Sequence, residues 1–173
     1  MALDSDTLTD LLGAVERFVR TRLRPIEDQV AHEDHIPDAI VNEMKEMGLF
    51  GLSIPQEYGG LGLTMAEEVQ VAFRLGHTSP AFRSLIGTNN GIGSQGIIID
   101  GTDEQMRRYL PRLATGELIS CFCLTEAEAG SDAGSLRTSA RRDGDGYVLN
   151  GSKRYITNAP HAGLFTVFAR TNE

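Results

Sequence analysis

The sequence predicts an α+β protein in which an all-α helical unit, residues 1–117, precedes an antiparallel β unit, residues 118–173. Three observations predict it. Apolar residues recur at helical spacing from Leu8 to Leu110, the period changes to two from Leu118 onward, and the strand-like segments there are joined by small-residue turns rather than by helices.

The first helix is marked by Leu8, Leu11, Leu12, Val15, Phe18, Val19 and Leu23, and Pro25 is expected to close it. The second opens at Pro37, a good first-turn residue. It carries Ile40, Val41, Met44 and Met47 on one side and stops at Gly48, so that its apolar side packs on the first. Gly48 to Leu63, GLFGLSIPQEYGGLGL, is too rich in Gly and too interrupted by Pro55 for a helix and reads as an ordered loop. Thr64 with Glu67 forms a capping box, because each side chain can satisfy a free amide of a first turn, and a helix through Val69, Ala72 and Phe73 to Gly76 follows. Between Ser79 and Asp100 many small residues alternate with Leu and Ile, the composition of a buried helix whose neighbours approach closely. Thr102 with Gln105 repeats the box and starts a last helix, which Pro111 and Gly116 are expected to break. Beyond it, RTSARR and YVLN flank the DGDG turn at 143–146, and Phe165, Val167 and Ala169 alternate with their neighbours, the pattern of antiparallel strands.

Composition narrows the function. A chain of 173 residues, 40% hydrophobic and with a net charge of −8, can bury a sizeable core but repels phosphate backbones and anionic lipid. Nucleic acid is therefore not an expected partner. The first ten residues are acidic, and no apolar run approaches the ~20 residues of a membrane span. A soluble, cytoplasmic protein is expected.

Several conspicuous features lead nowhere. Cys121 and Cys123 are two apart, so on a strand they share a face, which is poor disulfide geometry, and with no second Cys or His cluster they make a poor zinc site; they read as core. Gly91, Gly93 and Gly96 match G-x-G-x-x-G, but no run of β-branched residues precedes them and helix packing explains them better than a dinucleotide. His32 and His35 lack the i, i+4 spacing of a zinc pair and read as a solvated helix end. His77 and His161 stand beside no nucleophile arrangement.

Residues 118–157 carry the chemistry. Two β-like segments each end in a Thr, Thr125 and Thr157, and the loop AEAGSDAGS, Ala127 to Ser135, follows the first. Gly130 and Gly134 are free to take positive φ beside the hydroxyls of Ser131 and Ser135, so successive N–H groups can form an anion nest suited to a pyrophosphate. A flavin needs hydroxyl and amide donors along its pyrimidine edge, an apolar wall and a phosphate cradle, and this stretch can offer all three. The strings Thr125 to Asp132 (TEAEAGSD) and Asn150 to Asn158 (NGSKRYITN) resemble, in order and spacing, those of the acyl-CoA dehydrogenase family. GLFGLSIPQEYGGLGL and GTDEQMRRYLPRLATGE resemble that family's helical-domain loop and last helix before its β domain.

The resemblance implies FAD as cofactor. Phe122, Cys123, Leu124 and Thr125 would lie along the isoalloxazine ring, Thr125 near its pyrimidine edge, with Tyr155 and Ile156 covering it and Thr157 near N5. Ser131 would meet the FAD pyrophosphate and border bound acyl-CoA. Ala127 and Tyr155 replace the Pro and Trp common in the family, which bears on subfamily more than on cofactor. The resemblance also implies an incomplete antiparallel β barrel, with the C-terminal helical bundle that supplies the family's catalytic Glu absent from this chain. No catalytic base is assigned here: Glu126 and Glu128 are the nearest carboxylates, but their positions do not match. The expected activity is thus α,β-dehydrogenation of an acyl-CoA thioester, with electrons passed to an electron-transfer flavoprotein and a homo-oligomeric whole. A fragment that by itself neither holds FAD tightly nor turns over is expected. A non-catalytic short paralogue or partner subunit, or an acyl-CoA oxidase or flavin monooxygenase of the same fold, are the alternatives.

Overall fold

The computed structural model describes residues 3–171. Helix α1, Ser5–Phe18, is capped by the Asp4 carboxylate, which accepts from the amides of Asp6 and Thr7 at 3.1 and 2.9 Å. It does not end at Pro25. The ladder widens into a π turn, Val19–Leu23, and tightens into a 3₁₀ turn, Arg24–Ile26, where Pro25 sits in the first positions and its missing N–H is not required. The chain stays helical through α2, Glu27–Glu33, an element the sequence pattern does not announce, and is turned only by Asp34 at φ 49°. Helix α3, Asp38–Glu46, buries Ile40 and Met44 and is closed by Gly48 at φ 71°. The Arg22 guanidinium grips the Glu43 carboxylate with both oxygens, tying the π turn to α3.

The Gly48–Leu63 segment is an ordered, buried loop. Leu49, Phe50 and Ile54 are fully buried, and Leu61, Gly62 and Leu63 donate back to Gly51, Ile54 and Leu52 at 2.8–2.9 Å. Both capping boxes form. Thr64 caps α4, Met65–Leu75, and Thr102 caps α7, Asp103–Ala114. In α4 the buried apolar side chains are Val71 and Leu75, beside the buried capping residue Glu67, whereas Val69 and Phe73 face outward. Helix α7 runs through Pro111, because the lost hydrogen bond is to the carbonyl of exposed Arg107 while Leu110, Leu113 and Ala114 stay buried. Between them the chain forms α5, Pro80–Gly87, a π turn, Thr88–Gly93, and α6, Ser94–Asp100. The glycines of the G-x-G-x-x-G match therefore lie in helical turns. A Cβ on Gly93 would overlap the Ser120 side chain, so that glycine serves close packing.

Strand β1, Ser120–Cys123, lies against that π turn. Strands β2, Ser139–Asp143, and β3, Gly146–Asn150, form the expected antiparallel hairpin, with Asp143 opposite Gly146. The last strand, β4, Leu164–Val167, departs from the expectation: it pairs with β1 in parallel, Cys121 opposite Phe165. The connection between them holds a loop and a whole hairpin, long enough to bring the chain back in the same direction. The β unit is thus two partial, unclosed sheets, joined where Ala140 donates to Arg170 and Arg170 to Thr138, each at 2.8 Å. One core fills the space between α1 and α5, and a smaller one, Ile54, Leu110, Leu113, Ala114 and Leu118, joins α7 to the β unit.

Candidate flavin-facing site

Strand β1 sorts its side chains by parity. Cys121 and Cys123 point inward as buried free thiols, their sulfurs in a weak hydrogen bond 3.7 Å apart. Burial, reinforced by the neighbouring sulfur, pushes the Cys121 thiol up to about 12, so it stays protonated. Cys123 thus presents no open side-chain face to a ligand. Phe122 points the other way and meets Phe168, with ring centroids 4.9 Å apart. Leu124 and Thr125 leave the strand half-buried.

The next residue organises the loop. Glu126 is buried, and its carboxylate accepts from the Arg137 amide at 2.7 Å, from the Thr138 amide and hydroxyl at 2.9 and 2.5 Å, and from the Lys153 ammonium at 2.9 Å. The Thr138 hydroxyl, the ammonium and the two amides together hold this carboxyl well below the usual carboxylate range. Every oxygen faces donors, so the group cannot serve as a free base. Glu128 is exposed and paired with Arg137 at 2.8 Å.

The Ala127–Ser135 loop is not the nest expected from its glycines. Neither Gly130 nor Gly134 has positive φ; the turn is made instead by reciprocal bonds between Glu126 and Ala129 and by a 3₁₀ turn at Ala133–Ser135. The Arg170 guanidinium pins the carbonyls of Gly134 and Leu136 at 2.6 Å each, and Ser135 is spent on Asp132. Ser131 is exposed, and a Cβ on Gly130 would meet nothing within 4 Å, so this side of the loop is open.

The second segment is also not a strand. Tyr155 has φ 58°, which breaks extended backbone, and Thr157 opens a turn with Asn158 at φ 69°. Tyr155 is exposed, with the Arg154 guanidinium 4.6 Å from its ring centroid, and Ile156 is half-buried beside it. The Asn158 amide fixes the turn by donating to Leu85 at 2.9 Å and Ser120 at 3.4 Å. The two segments meet directly: the Arg154 amide donates to the Thr125 carbonyl at 2.9 Å, and Lys153 to the Leu124 carbonyl at 2.9 Å. Thr157 and Asn158 line a cavity of about 520 Å³ that continues to Leu85, Ile119, His35 and His161.

Sequence reasoning missed four residues that build this site. Glu126 and Lys153 stand inside the quoted strings without a role there, while Thr138 and Arg170 carry no local signal, since what they bind is remote in sequence.

Comparison with known proteins decides the family. The N-terminal domain of acyl-CoA dehydrogenase matches residues 5–117, and its middle domain matches residues 121–173. The chain belongs to the acyl-CoA dehydrogenase family. It is 39% identical over 166 residues to the very long-chain specific acyl-CoA dehydrogenase, mitochondrial, of Mus musculus, a match covering 95% of this chain and 25% of that protein. The acyl-CoA dehydrogenase of Bacillus anthracis, solved in complex with FAD, superposes with a TM-score of 0.86 at 36% identity, over 96% of this chain and 29% of that one. A glutaryl-coenzyme A dehydrogenase in its glutaryl-CoA complex does so with a TM-score of 0.90 at 32% identity, over 99% and 44%. The chain therefore spans about a quarter to under half of the acyl-CoA dehydrogenases it matches. Among the described residues, no helix is long and apolar enough to cross a membrane.

Proposed function

We propose that this chain supplies one wall of the FAD site of an acyl-CoA dehydrogenase, which removes the α-proton and β-hydride of an acyl-CoA thioester. One observation carries the reading. Of the threonines from Thr125 to Thr166, Thr138 and Thr166 spend their hydroxyls on Glu126 and on the Gly93 carbonyl, whereas the hydroxyls of Thr125 and Thr157 make no hydrogen bond among the described residues. Those two lie on segments joined by the Arg154–Thr125 backbone bond.

The donor set fits a flavin. Bound FAD would supply a hydride acceptor at N5, with negative charge growing at its pyrimidine edge. Hydroxyls held in advance at both places favour that charge without reorganising. Phe122, Leu124, Tyr155 and Ile156 supply apolar surface, and Ser131 stands on the open side of the loop, where the diphosphate and the neighbouring thioester would lie. Cys123 contributes through its backbone. Glu126 is committed elsewhere, so no residue of this chain is given the base's role. The reading includes an electron-transfer flavoprotein as acceptor, a homo-oligomer and a cytoplasmic setting.

Titration of FAD with the complete protein that carries this segment, followed by flavin fluorescence, tests it. Thr125→Ala and Thr157→Ala should each weaken binding about tenfold, the worth of one hydrogen bond of about 1.4 kcal/mol. Wild-type affinity in the double variant would refute the reading. Anaerobic titration of the complete protein that carries this segment with acyl-CoA thioesters, then air, separates dehydrogenase from oxidase.

A further inference from the structure

We propose that Lys153, together with Glu126, is a positioning residue that couples the two flavin-facing segments, so that the hydroxyls of Thr125 and Thr157 are set by one largely enclosed ammonium. This rests on the flavin reading above. The geometry singles out Lys153 because, among the described residues, it is the one side chain of the second segment that bonds on both sides of Thr125. Its Nζ reaches the Leu124 carbonyl and the Glu126 carboxylate at 2.9 Å each, on either side of Thr125. The next residue, Arg154, then donates its amide to the Thr125 carbonyl at 2.9 Å, and Tyr155, Ile156 and Thr157 follow directly.

The pair is sequestered. The side chains of Lys153 and Glu126 are only 11% and 9% exposed, so their mutual attraction is little screened, and neither charge can be left without the other. Each oxygen of Glu126 is also taken by the far end of the open loop, Arg137 and Thr138. The carboxylate therefore closes the loop that carries Ser131, and the ammonium docks the closed loop on the Tyr155–Thr157 segment. A purely stabilising ion pair would need only the Glu126 contact. The second bond, to the Leu124 carbonyl, fixes the height of the backbone on which Thr125 rides.

The test compares Lys153→Met, Lys153→Arg, Glu126→Gln and the Glu126→Gln/Lys153→Met pair, with the milder Thr138→Val as a variant that keeps both charges. All are studied at a temperature where circular dichroism shows each folded. Two readouts are taken: FAD affinity with the visible spectrum of bound flavin, and amide hydrogen exchange without FAD. The expected result is a loss of at least tenfold in FAD affinity with a shifted flavin spectrum in Lys153→Met and Glu126→Gln, no further loss in the double variant, and partial recovery in Lys153→Arg. Exchange should quicken in Lys153→Met at both 124–126 and 154–157. Thr138→Val should quicken 126–138 and leave 154–157 protected. Unchanged FAD affinity and spectrum in Lys153→Met would overturn the proposal and leave the flavin reading standing. Absence of FAD binding by the complete wild-type protein that carries this segment would overturn both, while exchange confined to 126–138 in Lys153→Met would overturn the coupling by itself.

Discussion

Asn89→Leu should cost about 3 kcal/mol, because this one amide fastens β1 to the helical unit. Asn89 is fully buried. Its Nδ2 donates to the carbonyls of Phe50 at 3.0 Å and Leu113 at 3.1 Å, and its Oδ1 accepts from the Ser120 amide at 2.9 Å and the Ser120 hydroxyl at 3.1 Å. Leu fills similar space but pairs with none of them. The Leu113 carbonyl keeps its bond from Gly116 at 3.1 Å, and a hydroxyl can rotate, so the Phe50 carbonyl and the Ser120 amide bear most of the loss. Each buried group left without a partner costs ~1–3 kcal/mol, which places the sum near 3 kcal/mol. With no Trp in the chain, urea unfolding followed by far-ultraviolet circular dichroism is the suitable assay. At a slope of roughly 2 kcal/mol/M the midpoint should fall by about 1.5 M with the slope unchanged. A fall under about 0.3 M would mean the network contributes little, and the assignment of Asn89 as the fastener would be wrong.

Three further outcomes follow from the same geometry. Gly116→Ala places a Cβ 2.9 Å from Lys45 Cγ and Phe50 Cγ at φ +70°, and should lower stability by about 2 kcal/mol, read as a melting temperature lower by roughly 4–8 °C in calorimetry. Thr102→Ala removes the hydroxyl that accepts from the Gln105 amide at 3.2 Å and should cost about 1 kcal/mol in the same scan, with Thr102→Ser near wild type. Glu126 has a depressed folded pKa, so its contribution is present above the unfolded Glu value of ~4.3 and is lost as pH falls towards the folded value. Stability curves measured from pH 5 downward should therefore be flatter in Glu126→Gln than in wild type, and parallel curves would contradict the clasp.

The helical unit was legible wherever a short-range rule sufficed. Thr64 and Thr102 each stand three residues before an acceptor side chain, and both boxes form; Ile40 and Met44 share a face, and that face is buried. Proline misled twice. The ends expected at Pro25 and Pro111 assume a regular ladder, and the structure instead changes the ladder around Pro25 and leaves only an outward carbonyl unpaired at Pro111. The parallel pairing of β4 was illegible for a different reason: alternation in Phe165, Val167 and Ala169 reports a strand but not the direction of its neighbour. In the candidate site, the strings around Thr125 and Thr157 lie on segments that meet through the Arg154–Thr125 backbone bond, but the loop's glycines suggested a nest that the backbone does not make. What holds that loop is Glu126, Lys153, Thr138 and Arg170, and partners that fold together from separate stretches leave no periodic trace.

The π turn at Thr88–Gly93 shows why the missing information sits where it does. Asn89 and Asn90 are adjacent, and adjacent side chains on a helical turn point about 100° apart, so the two amides aim at different neighbours. Both lie in the π turn and are fully buried. Asn90 then donates to the carbonyls of Leu49 at 2.7 Å and Ile86 at 3.0 Å, and the Ser53 hydroxyl donates to its carbonyl at 2.7 Å. Asn89 reaches the opposite way, to α7 and β1. Two amides thus satisfy the backbone of a buried loop and the first residue of a strand, groups that have no ladder of their own at those points. The same turn brings Gly93 against Ser120, and Ser120 in turn receives Asn158 from the Thr157 turn. The Tyr155–Thr157 segment is therefore tied to the helical unit through Asn158, and a wavelength of 3.6 residues carries no sign of it.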